Sequence, residues 1–77
     1  MNKAVCVAII RGGGFIAVSL KEDHSDFNLP GGMVEENETL EQAGIREVKE
    51  ETGMDILNLK FLCTIIEDNI EVTIYYT

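Results

Sequence analysis

Positive charge is scarce in this chain: six Lys and Arg stand against fourteen Asp and Glu in 77 residues, a formal net charge of −8. The basic residues form no cluster. Binding to a phosphate backbone or an anionic lipid surface runs on clustered Lys and Arg, so the sequence predicts no duplex nucleic acid and no membrane as partner. Cysteine is scarce too. Cys6 and Cys63 lie far apart in apolar runs and cannot form the dense disulfide framework of small secreted domains; they read as buried, reduced thiols of a cytoplasmic protein. Long apolar runs are absent. The stretch from Ala4 to Ile10 covers seven residues, against the roughly 20 needed to span a bilayer. It ends in Arg11 and glycines without a small-residue cleavage pattern, so it is not read as a signal peptide. There is no internal repeat, low-complexity tract or linker, and the length accommodates at most one small domain.

What is present is an ordinary globular composition, 45% hydrophobic and 26% charged. Residues 4–10 and Phe15 to Leu20 read as two strands joined by Arg11-Gly12-Gly13-Gly14, a hairpin in which glycine supplies positive φ. No Lys-Ser/Thr pair and no helix follows those glycines, which argues against a phosphate-binding loop. Residues 21–28 are polar and turn-rich, and Leu29-Pro30-Gly31-Gly32 is expected to interrupt regular structure. Thr39 and Gln42 have capping-box spacing and Gly53 sits where a helix would end in a left-handed residue, so a helix is placed at about 40–52. Leu57 to Ile66 and Ile70 to Tyr76 read as two further strands about a Glu67-Asp68-Asn69 turn. Tyr75 and Tyr76 then fall on opposite faces of the last strand.

The negative charge is local. Seven of the fourteen acidic residues lie between Glu35 and Glu51. On the helix, Glu47 and Glu51 are i and i+4 with Glu50 beside them, so three carboxylates share a side, and like charges at that spacing repel by some tenths of a kcal/mol each. The same side carries Leu40, Ala43 and Gly44, which look core-facing. From spacing alone a solvated acidic face accounts for the run, although a purely solvating face does not require its acids at the edge of the apolar arc. The functional alternative is a hard divalent cation, which takes oxygen ligands, cancels the repulsion and completes its shell with water and substrate phosphate.

From Gly32 the chain reads Gly32, five residues, Glu38, seven residues, then Arg46-Glu47-Val48-Lys49-Glu50-Glu51-Thr52-Gly53-Met54. This resembles the Nudix box, G-x5-E-x7-R-E-U-x-E-E-x-G-U, at every fixed position, with Met54 where Ile, Leu or Val is commoner. A chance match per start is on the order of 10⁻⁹ from background composition. Phe27-Asn28-Leu29-Pro30-Gly31 also resembles the approach to the box in MutT-like members.

The resemblance implies an α+β fold, a mixed β-sheet with the loop and helix of the box, and a pyrophosphohydrolase cleaving a nucleoside diphosphate linked to another group with Mg²⁺ or Mn²⁺. Residue by residue, it implies that Glu50 and Glu51 are the principal metal ligands, that Glu47 is a further ligand or the base, and that the Gly31 carbonyl is a backbone ligand. Glu47, Glu50 and Glu51 are thus the candidate catalytic residues. Arg46 and Glu38 match positions of largely structural role, with either Glu38 or Glu47 as the partner of the guanidinium. Gly32 and Gly53 are expected to hold unusual backbone angles. Gly44, at a cost of up to ~1 kcal/mol in a helix, is read as allowing close packing on a strand. Arg11 and Lys21 are candidate phosphate contacts, and Phe27 and Leu29 candidate contacts to a base; His24 is read as an exposed loop residue.

Family domains are longer than this chain, so residues 1–77 are expected to form a single but incomplete domain, truncated on its C-terminal side. Part of the sheet would then be exposed, and a homodimer is one way to cover it. Two functions follow: the metal-dependent hydrolase, or a non-catalytic remnant or interaction module that keeps the metal site. Base and leaving-group specificity lie beyond the box.

Overall fold

The computed structural model describes residues 2–16 and 29–77. In chain order its elements are β1 (Asn2–Arg11), β2 (Gly14–Ile16), β3 (Gly31–Met33), α1 (Leu40–Thr52), β4 (Lys60–Glu67) and β5 (Ile70–Tyr76). The strands form one mixed sheet in the order β2-β1-β5-β4, with β3 also paired to β1. β1 runs parallel to β5, from Asn2 opposite Ile70 to Ala8 opposite Tyr76. Its other edge is shared by two antiparallel strands, β3 against Ala4 to Cys6 and β2 against Ile9 to Arg11.

The hairpin expected near the start forms about Gly12 and Gly13, with φ of 59° and 87°. Two successive positive φ values define the turn that suits the twist of paired strands. Asp68 and Asn69, at 52° and 63°, repeat that geometry between β4 and β5, so the last turn is two residues and Glu67 belongs to β4. β1 extends the anticipated run to Asn2 and Arg11. Of Phe15 to Leu20, residues 17–20 lie outside the described residues. The anticipated strand Leu57 to Ile66 begins only at Lys60: Ile56 and Leu59 are buried while Leu57 is 87% exposed, so this stretch packs as an irregular connection with no strand partner among the described residues.

Leu29-Pro30-Gly31-Gly32, anticipated as a break, needs the larger correction. Gly31 and Gly32 belong to β3 and pair with Cys6 and Val5. A Cβ at Gly31 would collide with the Val5 carbonyl and lie 2.9 Å from Cys6 Cα; here glycine permits close strand approach where its usual reading is interruption.

Helix α1 covers one sheet face. Val5, Val7 and Ile9 of β1 and Tyr75 of β5 meet Ala43 and Val48 of the helix, with Ile56 and Leu59 closing the cluster. Gly44 lies over this contact, and a Cβ there would approach Val7 Cγ2 to 3.3 Å and Leu59 Cδ1 to 2.7 Å, which accounts for glycine in mid-helix. The helix begins in a capping box, Gln42 N–H donating to Thr39 Oγ1 at 3.0 Å and Thr39 N–H to Gln42 Oε1 at 2.8 Å. It ends at Gly53 in the left-handed region, φ 79°. Tyr75 is buried and Tyr76 half-buried, on opposite faces as anticipated. The edge strand β4 leaves Phe61, Leu62, Ile65 and Ile66 exposed, in line with the expected uncovered sheet.

Candidate functional site

α1 carries Arg46, Glu47, Glu50 and Glu51 along its edge over β3. Of the three carboxylates expected at the edge of the apolar arc, two are drawn against the body of the protein. The Glu47 side chain is 13% exposed and Glu50 56%; Glu51 is half-buried. Glu47 lies against Gly32, where a Cβ would sit 2.7 Å from its carboxylate carbon. Gly32 is therefore glycine for space. The unusual backbone angle expected of it is absent, since the positive-φ glycines among the described residues are Gly12, Gly13 and Gly53.

Glu51 Oε1 accepts from the Gly31 N–H at 3.3 Å. The ladder explains why that amide is available. Val7 N–H donates to the Pro30 carbonyl at 2.8 Å and Val34 N–H to the Lys3 carbonyl at 2.9 Å, so the even-numbered residues of this segment bond β1. N–H and C=O of one strand residue point the same way, which turns both groups of Gly31 away from β1 and leaves its N–H to Glu51.

Arg46 joins the helix to the preceding loop. Its Nε and Nη2 form a fork onto Glu38, at 2.6 and 3.0 Å, and Nη2 also donates to the Met33 carbonyl at 3.1 Å. Nη1 donates to Glu47 Oε2 at 3.0 Å and Glu50 Oε1 at 3.3 Å; Glu35 Oε2 lies 3.7 Å away. The two alternatives for the partner of Arg46 are thus both realised. Glu35, Glu50 and the Met33 carbonyl join them, which residue reasoning missed; the signal for them was that a guanidinium has five N–H donors and one carboxylate satisfies only two. Glu38 also accepts from Glu35 N–H at 2.9 Å, bracing a loop in which Asn37 adopts φ 65°.

The Arg46 guanidinium first, and then the Glu35 amide, hold the Glu38 carboxyl below its ordinary value; Glu38 in turn raises Arg46. Because folding lowers the Glu38 pKa, its stabilising contribution is complete above the unfolded value near 4.5 and is lost as pH falls through the lower folded value. Thermal melts across the acid range should show wild-type stability falling there, with a shallower slope in Glu38→Gln. Equal slopes would remove Glu38 from this linkage.

All donors at the site are oxygens, the chemistry that suits a hard divalent cation, and the Gly32 cradle keeps Glu47 close to β3. Among the described residues no three of His, Cys, Asp and Glu converge closely enough to hold a metal as they stand. Glu47 and Glu50 are turned to Arg46, and Glu51 to the Gly31 amide. One or two carboxylates with waters and substrate phosphate suffice for Mg²⁺, so the donor set fits, with Glu50 as the exposed member.

Of the other expected contacts, Arg11 is elsewhere. Its Nη1 donates to the Ile10 and Thr77 carbonyls at 2.8 and 3.3 Å, five residues beyond the Cys6 partner of Gly31, on the order of 16 Å at strand rise. Its guanidinium serves the strand ends, which takes it away from the acidic cluster. Leu29 is half-buried directly before β3. Lys21, His24 and Phe27 lie outside the described residues. Among the described residues no helix is long and apolar enough to cross a membrane.

The family pattern described as NUDIX domain matches residues 1–76. The 8-oxo-dGTP diphosphatase of Proteus vulgaris is 45% identical over 42 residues, covering 54% of this chain and 38% of that protein. The ADP-ribose pyrophosphatase of Methanocaldococcus jannaschii is 64% identical over 28 residues, 36% of this chain and 17% of that protein. The crystal structure of a MutT NUDIX hydrolase from Burkholderia pseudomallei superimposes with a TM-score of 0.85 at 25% identity, covering 99% of this chain and 65% of that one. The chain spans 17% to 38% of the length of its curated relatives.

Proposed function

The chain belongs to the NUDIX family, and from that membership and the site we propose that it is a metal-dependent pyrophosphohydrolase acting on a nucleoside diphosphate linked to another moiety, with Mg²⁺ or Mn²⁺. The observation that carries this reading is the placement of Glu51 beside the outward peptide groups of Gly31, with Glu47 seated on Gly32 and Glu50 at the solvent edge.

When bound, a divalent cation polarises phosphate oxygens and offsets charge on the leaving group. Glu50, Glu51 and the Gly31 carbonyl would hold it. The chain's own contribution is positioning and proton transfer. α1 fixes the carboxylates, the Arg46–Glu38 fork fixes the loop beneath them, and a carboxylate within hydrogen-bond reach of the attacking water takes its proton. Glu47, braced by Arg46 and packed on Gly32, is the best-oriented member for that role.

The relatives are named for two different nucleotides, 8-oxo-dGTP and ADP-ribose, so the test uses both. The 77-residue protein is assayed for release of the phosphate-bearing product with Mg²⁺ and after chelation. Mg²⁺-dependent turnover of either is expected, and a folded, Mg²⁺-binding protein inert toward a broad nucleotide panel would overturn catalysis. That outcome would favour the second reading, an interaction module that retains the metal site, whose support is the exposed apolar β4.

A further inference from the structure

Arg46 has two unequal ends. The Nε and Nη2 edge is saturated by Glu38, at 2.6 and 3.0 Å, and by the Met33 carbonyl. The remaining nitrogen, Nη1, has two hydrogens and faces four carboxylate oxygens at steadily greater distances: Glu47 Oε2 at 3.0 Å, Glu50 Oε1 at 3.3 Å and Oε2 at 3.5 Å, and Glu35 Oε2 at 3.7 Å. Two hydrogens cannot serve four oxygens with good geometry, so this corner is under-supplied with positive charge. Glu47 and Glu50 would repel each other and Glu35 without it.

The carboxylates at this corner differ in freedom. Glu47 is packed on Gly32 and 13% exposed; Glu50 is 56% exposed and holds Nη1 by the longer contacts. Long, exposed charge-assisted contacts are the weak ones. We infer that Arg46 Nη1 is an internal competitor for the divalent cation: it neutralises Glu47 and Glu50 in the metal-free protein, and Glu50 leaves it on metal binding while the Glu38 fork stays closed. This rests on the metal-binding reading above and adds to it a positioning role for Arg46 in setting metal affinity. It also explains why, among the described residues, the acidic groups as they stand are not arranged to hold a metal: two of them are engaged by Arg46.

The test is a Mg²⁺ titration of the wild-type 77-residue protein, followed in parallel by calorimetry and by ¹⁵N–¹H resonances of the arginine side chains. Arg11 is the only other arginine, so assignment is direct. The Nη1 signals of Arg46 should shift or broaden and saturate at the same Mg²⁺ concentration as the calorimetric curve, with the Nε–H signal in place and protected from exchange. Mg²⁺ binding with unchanged Nη1 signals would overturn the competition and leave the metal site standing. Simultaneous loss of the Nε–H protection would also overturn it, since the fork would then open as a unit. Absence of calorimetric binding would overturn the metal-binding reading itself.

Discussion

Replacing Glu51 with glutamine is expected to reduce Mg²⁺-dependent hydrolysis by roughly 10²- to 10³-fold, the scale on which deletion of one preorganised charge-stabilising group acts, and to weaken Mg²⁺ binding in the same protein. The substitution keeps shape and one acceptor oxygen. The Gly31 amide, which donates to Glu51 Oε1 at 3.3 Å, therefore retains a partner, and the strand-to-helix contact survives. Stability should change by about 1 kcal/mol or less, the net worth of a typical hydrogen bond. A melt unchanged within a few degrees beside a collapsed kcat/KM separates loss of ligand charge from loss of fold. Hydrolysis that persists in Glu51→Gln would remove this residue from the metal site. Glu50→Gln is the informative companion. Its side chain is 56% exposed, so it too should spare the fold while lowering activity.

Much of this site is visible in the sequence because a helix converts spacing into position. Glu47, Glu50 and Glu51 share a side by arithmetic alone, Thr39 and Gln42 announce the cap, and Gly53 announces the end; the structure realises each. What spacing does not carry is depth. Nothing local distinguishes the buried flank of Glu47 from the open flank of Glu50, because that difference depends on Gly32 arriving from another strand. The four-way engagement of Arg46 is hidden for the same reason: its partners come from the loop, β3 and the helix at once. β3 itself was the least legible element. It is three residues long with two glycines, and local propensity reads glycine as interruption. Only the long-range pairing with Val5 and Cys6 makes it a strand, and that pairing places the outward amide of Gly31 at the site.

Gly31→Ala should accordingly be among the most damaging single-methyl additions in the chain. A Cβ there would collide with the backbone carbonyl of Val5, and backbone cannot rotate aside as a side-chain end can. β3 must then move off β1, at a cost of about 3 kcal/mol, the upper range for overpacking. For a domain of this size that corresponds to a fall in Tm of at least about 10 °C. The effect on function should exceed the effect on stability. At a temperature where the variant remains folded, displacement of β3 carries the Gly31 amide and carbonyl away from Glu51, and a misplacement of about 1 Å is enough to cost on the order of 10²-fold in rate. Gly44→Ala is the control: its Cβ would meet the movable end of Leu59 and the Val7 side chain, side-chain atoms where Gly31→Ala meets backbone. Melting curves and Mg²⁺ binding of the two variants together decide the matter. A Gly31→Ala protein with wild-type Tm and wild-type Mg²⁺ affinity would mean that the close approach of β3 to β1 positions nothing, and the account of the site built on it would fall.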